Sequence, residues 1–195
     1  MTTRRRVVAL FGGSFDPPHV GHVLAVTYLL SSTDVDGVWV IPVYAHAFGK
    51  ALTPYVTRHR LCELAFGWLP RVHVDDIERE LGGESRTLTT IQALQARHPD
   101  VDMRLVIGSD VLGDTPGWHR FDRVAALAPP LVLGRVGHPH PDAPELVVLP
   151  DVSSRDVRSA LARGMPLAGR LPRTVEALIR REGLYGVGEN AETDP

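Results

Sequence analysis

The run Gly12-Gly13-Ser14-Phe15-Asp16-Pro17-Pro18-His19-Val20-Gly21-His22 collects residue types that can manage an anionic ligand at close range. Glycines let the backbone approach a ligand, the start of a helix offers N–H groups to an anion, and His19 and His22, at i and i+3, set two imidazoles on one side of a first turn. Such a corner suits a triphosphate. The spacing matches neither G-x-G-x-x-G nor G-x-x-x-x-G-K-[ST], so neither a dinucleotide fingerprint nor a Walker A loop is present. Asp16 reads chiefly as a residue that orders the turn before the helix. Ser153 or Ser154 is predicted to cap a later helix that carries Arg158, and a cap and a phosphate site draw on the same N–H groups. Trp118 lies near a strand-end loop, where an aromatic can stack on a planar ring. His46, His59, His73, His98, His138 and His140 form no comparable constellation and read as ordinary surface or core residues.

These side chains must be held by regular elements, and the apolar periodicity supplies them. Val7–Phe11 predicts a buried strand, followed by the Gly/Pro loop and a helix from about Val20 to Leu30. Val38–Ile41 predicts a second strand, the segment Pro42–Val56 a long loop, and about Arg58 to Trp68 a helix. Val72–Val74, Arg104–Ile107, Leu131–Leu133 and Leu146–Leu149 read as further strands, with helices over Thr87–Arg97, Phe121–Leu127 and from Ser153 or Ser154 to Ala162. Pro172 at a first helical position and Gly183 after Arg180-Arg181 bracket the last helix. Repeated strand–helix units with apolar strands imply an α/β fold: one Rossmann-like domain, an open parallel sheet with helices on both faces. Its ligands bind beyond the carboxyl ends of the strands, so the loops after the first and fourth strands, the latter carrying Gly108-Ser109-Asp110, matter most. The domain is expected over 1–185, with 186–195 a disordered tail.

Composition limits what this architecture serves. The chain has 195 residues, 44% hydrophobic and 23% charged, enough to bury one core without a disulfide or structural metal. No apolar stretch approaches the length that spans a bilayer, and Gly12-Gly13 cuts the run after Arg4–Arg6 too short for a signal peptide. A membrane protein and an exported one are both disfavoured, and a cytoplasmic location is expected. The single Cys62 excludes an intramolecular disulfide and reads as a buried helix residue. A net charge of −2 and a pI near 6.5 argue against a nucleic-acid face and for small phosphorylated ligands. The oligomeric state is not legible, which leaves a homo-oligomer open.

Taken together, Gly12–His22, Ile107–Asp110 with Trp118, Ser153–Arg158 and the terminal Gly183-Leu184-Tyr185 resemble the adenylyltransferases of the HxGH superfamily, and within it the bacterial nicotinate-nucleotide adenylyltransferases. The resemblance covers nearly the whole chain. It implies that Gly12, Gly13, Ser14, Phe15, His19 and His22 bind ATP, that Gly108 and Asp110 lie beside the adenosine, and that Ser153, Ser154 and Arg158 grip the outer phosphates. His19, His22 and Arg158 are the implied catalytic residues. Ser85, Arg86, Thr87 and Trp118 resemble the segments that hold the pyridine nucleotide, and Lys50 stands where a loop lysine is expected. The chain departs from the family pattern in three places: Ser153-Ser154-Arg155 replaces Ser-Ser-Thr, Ser85-Arg86-Thr87 replaces Ser-Tyr-Thr, and a different sequence around His46–Lys50 replaces Pro-Pro-His-Lys.

The implied reaction is in-line attack of the nicotinate mononucleotide phosphate on the α-phosphorus of ATP, with pyrophosphate leaving. No nucleophilic side chain is needed. Because both reactants are anionic, catalysis is expected from holding them together and from charge supplied by His19, His22, Arg158 and a Mg²⁺ ion. That ion enters as the ATP complex and needs few protein ligands, and none is assigned. The competing readings are transfer to nicotinamide mononucleotide or phosphopantetheine, CMP transfer from CTP, a noncatalytic ATP-binding sensor, and a zinc hydrolase built on His19, His22 and Asp16. A tRNA synthetase is disfavoured by length and by the lack of a basic face.

Overall fold

The computed structural model describes residues 4–45, 49, 51–112, 118–135, 137–138, 141 and 148–188. Six strands, β1 (Arg6–Gly13), β2 (Gly37–Pro42), β3 (Val72–Val74), β4 (Val101–Gly108), β5 (Pro130–Arg135) and β6 (Val148–Leu149), form one sheet in the order β3-β2-β1-β4-β5-β6. Every neighbouring pair is parallel, as the strand–helix alternation requires. Seven helices are described: α1 (Val20–Ser32), α2 (Tyr55–Phe66), α3 (Ile77–Leu81), α4 (Thr87–Arg97), α5 (Phe121–Leu127), α6 (Ser154–Ala162) and α7 (Arg173–Arg181).

Period-two alternation along the strands divides the core between two faces. Ala9, Val38, Val40 and Val106 face α1, α2, α6 and α7, where Val26, Leu29, Leu61, Phe66, Val157, Val175 and Ile179 are buried. Val8, Leu10, Trp39, Ile41, Met103, Leu105 and Ile107 face Ile77 of α3, Leu88, Ile91 and Leu94 of α4, and Val124 of α5. Both faces are therefore covered, and the strands are accordingly apolar throughout. In α6 and α7 the buried residues fall at i, i+3 and i+4: Val157, Ala160 and Leu161, then Val175, Leu178 and Ile179.

The chain runs outward from β1 to β2 and β3, then returns to β4 beside β1 and runs outward the other way. The connections thus diverge between β1 and β4, and a crevice opens at their carboxyl ends. Both loops singled out in the sequence, Gly12–His22 after β1 and Gly108–Asp110 after β4, flank that crevice. Some boundaries differ from the expectation: α2 starts at Tyr55 and ends at Phe66, β4 and β5 extend beyond the expected strands at both ends, and Pro172 is the cap rather than the first residue of α7; the five-residue α3 was not foreseen. Gly183 follows α7 with φ 61°, a left-handed turn that glycine adopts without strain, and leads into a 3-10 turn over Leu184–Gly186. Of the expected tail, residues 189–195 lie outside the described residues.

Candidate active site

A cavity of about 490 Å³ opens at the carboxyl ends of β1 and β4, with Gly12, Gly13, Ser14, Ser85, Arg86, Thr87 and Trp118 among its walls. A larger one, about 640 Å³, lies at the amino ends of the same strands. The second is the poorer ligand site despite its size, because its cations are already engaged. Arg5 donates to Asp102 and to the Pro99 carbonyl, and Arg104 to the carbonyls of Pro129 and Pro130.

The loop after β1 turns at Phe15, whose φ of 45° sends the ring into the core, edge-on to Phe11, Phe66 and His22. With its ring 1% exposed, any contact Phe15 makes with a nucleotide runs through its backbone. His19 and His22 stack with ring centroids 3.6 Å apart. The His22 Nδ1 accepts from the His19 backbone N–H at 3.1 Å, so a neutral His22 ring carries its proton on Nε2. Gly21 between them has a packing reason: a Cβ there would stand 3.1 Å from His19 Nδ1. Burial, then the Arg135 guanidinium, pushes the His19 pKa down to about 4. Burial, His19 and Arg135 in that order hold His22 well below the usual histidine range. Both rings are therefore uncharged at neutral pH, whereas the sequence reading has them supply positive charge.

This has a measurable consequence for stability. Between the unfolded value of 6.5 and the folded value near 4, the unfolded chain takes up a proton on His19 that the folded chain refuses. The neutral ring's contribution is complete above about 6.5 and is lost as pH falls towards 4, roughly 3 kcal/mol for His19 alone. The melting temperature is expected to fall from pH 7 to pH 4.5, and His19→Asn to flatten that slope. An identical slope in the variant would show that His19 does not sense this window.

Helix α6 docks on the same loop. Ser153 caps it, its Oγ accepting from the Asp156 N–H at 3.1 Å, and the Ser154 Oγ donates to the Pro17 carbonyl at 2.8 Å. Arg158 donates to the Asp16 carbonyl. Ser154 and Arg158 thus hold the two residues that lead into Pro18 and His19. The Asp16 carboxylate, 3% exposed, accepts from the Thr53 N–H at 3.2 Å and the Tyr185 hydroxyl at 2.8 Å. Its place is that of a latch, in keeping with the turn-ordering role read from sequence.

On the far side of the crevice the chain turns tightly after β4, with the Val111 N–H on the Gly108 carbonyl at 3.0 Å and the Ser109 N–H on Leu133 at 2.8 Å. Asp110 pairs with Arg135 at 3.8 Å. Arg135, at the end of β5, acts on both histidines and was not singled out in the sequence, although a cation just past the carboxyl end of a strand is a signal in this kind of sheet. Arg58 was missed too. It sits at i with Leu61, Cys62 and Ala65 at i+3, i+4 and i+7 on the buried stripe of α2, where a charge is out of place.

Around the cavity, the Ser85 Oγ accepts from the Tyr44 N–H at 3.0 Å while its own N–H donates to the Ala45 carbonyl at 2.9 Å. Arg86 caps α4 and pairs with exposed Glu84 at 3.1 Å, and Thr87 is the first helical residue. The buried Glu78 accepts from Thr90 at the same wall. Trp118 lines the opening and meets Phe121 edge-on at 5.8 Å. Lys50, His46, His140 and Thr115–Gly117 lie outside the described residues. Among the described residues no group of three or more His, Cys, Asp or Glu converges as a metal site.

The model of the cytidylyltransferase-like family matches residues 10–160, from the centre of β1 to α6. A protein of Anaeromyxobacter sp. (strain K) named "Probable nicotinate-nucleotide adenylyltransferase" is 43% identical over 184 residues, covering 92% of this chain and 97% of its own. One of the same name from Myxococcus xanthus is 42% identical over 186 residues, at 92% and 95% coverage. The chain belongs to the nicotinate-nucleotide adenylyltransferase family. The fold of this family member also matches the Plasmodium falciparum nicotinic acid mononucleotide adenylyltransferase complexed with NaAD, at TM-score 0.80 and 17% identity, over 92% of this chain and 97% of that one. As a member of the adenylyltransferase family it brings α6 against the Gly12–His22 loop beside one crevice, and no described helix is long and apolar enough to cross a membrane.

Proposed function

We propose that this chain transfers the AMP part of ATP to nicotinate mononucleotide, giving nicotinate adenine dinucleotide and pyrophosphate in the cytoplasm. The observation that carries the reading is the joining of the two motifs: Ser154 and Arg158 bond to the carbonyls of Pro17 and Asp16, just before His19, while Gly12–Ser14 border the cavity walled by Ser85–Thr87 and Trp118. An acceptor phosphate oxygen attacks the α-phosphorus, the bond to the bridging oxygen of the β-phosphate breaks, and no covalent enzyme intermediate forms. A Cβ on Gly12 would meet nothing within 4 Å, so the open side of that residue is left for ATP. His19 and His22 act as neutral hydrogen-bonding groups on the phosphates, with His22 donating from Nε2. Arg158, Ser153 and Ser154 hold the outer phosphates, and Gly108 and Asp110 adjoin the adenosine. Mg²⁺ would enter with ATP, bound through phosphate oxygens and water, and neutralise part of their charge.

For the acceptor, the start of α4 at Arg86 and Thr87 offers N–H groups to the nicotinate carboxylate, and Trp118 stacks on the ring. Lys50 is the further residue proposed for the acceptor. Because helix-start donors favour an anion over a neutral amide, kcat/KM for nicotinate mononucleotide should exceed that for nicotinamide mononucleotide by about tenfold. Trp118→Ala should lower both, by up to roughly tenfold. Pyrophosphate release from ATP with each acceptor tests this. Equal efficiency for acid and amide removes the carboxylate subsite, and activity with phosphopantetheine alone overturns the acceptor class.

A further inference from the structure

Arg58 belongs to none of the motifs above, yet its side chain joins both halves of the site. It is 1% exposed, and among the described residues it pairs with no carboxylate, although the Asp16 charge is near enough to favour its protonated form. Its guanidinium donates instead to four backbone carbonyls: Nε to Thr53 at 2.8 Å, one terminal nitrogen to Ser14 at 2.9 Å, and the other to Val43 at 2.7 Å and Tyr44 at 3.3 Å. The face of Tyr55 lies 5.7 Å away. Ser14 belongs to the loop after β1. Val43 and Tyr44 belong to the segment after β2, and the Tyr44 N–H and Ala45 carbonyl hold Ser85. One unbroken series of bonds therefore runs from Ser14 through Arg58 and Tyr44 to Ser85.

We propose that Arg58 is a positioning residue that fixes the phosphate loop at Ser14 against the acceptor segment at Ser85, and so sets the approach of the two substrates. The proposal rests on the adenylyl-transfer reading above. Removing Arg58 takes a donor from the carbonyls of Ser14, Val43, Tyr44 and Thr53, so stability falls with any substitution and the positioning role is read in kcat. What an apolar chain cannot do, nor the point charge of lysine, is hold three backbone segments at set distances with one rigid planar fork. Precise approach matters because attack needs the reacting atoms about 3–3.5 Å apart, and a misplacement of about 1 Å can cost about 10²-fold.

The test uses Arg58→Met, Arg58→Lys and Ser85→Ala, singly and with Arg58→Met combined with Ser85→Ala. Both Arg58 variants are expected to melt below wild type yet stay folded at the assay temperature, with kcat lowered about 10- to 100-fold and each KM changed by less than about threefold. Ser85→Ala should cost less in the Arg58→Met background than in wild type, because the series is already cut. Near-wild-type kcat in either Arg58 variant, or independent effects of the two sites, would overturn the proposal. Unfolding of both variants would assign Arg58 to the fold and overturn it as well. A wild-type chain inactive with ATP and nicotinate mononucleotide would instead overturn the adenylyl-transfer reading on which the proposal stands.

Discussion

His22→Ala is expected to lower kcat by about 10²–10³-fold at saturating ATP and nicotinate mononucleotide, the cost of removing one preorganised donor from developing charge. The structure refines why. With Nδ1 taken by the His19 N–H and its pKa held well below the usual range, His22 offers a fixed Nε2–H rather than a positive charge. A fixed neutral donor needs no protonation step, so kcat should not titrate on His22 between pH 6 and 8. His19→Ala should also damage turnover, because the two rings stack and each orients the other. Near-wild-type kcat in both alanine variants, with melting temperatures unchanged, would remove the pair from the chemistry. A kcat that falls with an apparent pKa near 6.5, present in wild type and absent in His22→Ala, would restore the cationic role.

Arg158→Ala should raise the KM for ATP by about 10- to 100-fold and leave the acceptor KM within about twofold, as expected for losing a charge-assisted bond to phosphate. Arg158 stands in the second turn of α6, with one guanidinium nitrogen on the Asp16 carbonyl. That bond spends one donor on the loop and leaves the remainder of the fork for ligand. Arg158→Lys keeps the charge but cannot serve loop and ligand in the same plane, so it should recover only part of the loss. Initial rates at varied ATP and fixed acceptor, and the reverse, separate the cases. An acceptor-only defect would place α6 on the other substrate.

Much of the architecture was legible because strand and helix signals here are strong and local. The bounds of β3, α4 and α5 and the Ser153 cap of α6 agree with the periodicity and capping residues. Helix α3 left no such trace: five residues complete too few turns for a repeat to emerge. Pro172 fell one position from its expected place because a cap and a first helical residue alike can lack an N–H. Within the site, Gly12–His22 could be read because glycines, prolines and histidines at that spacing carry their chemistry in their types. Arg58 and Arg135 were harder to read, since a charge on an apolar stripe or at the carboxyl end of a strand marks a place without naming its partners. The partners of Asp16, at Thr53, Arg158 and Tyr185, are brought to it only by the folded sheet.

The Asp16–Tyr185 contact joins residues 169 positions apart, close to the two ends of the described chain. In order of synthesis, Asp16 is made long before the residue that latches it. Strand β1 likewise waits for β4 before its second edge is paired. The ribosome thus delivers Gly12–His22 well before α6 and Tyr185 exist to close around it.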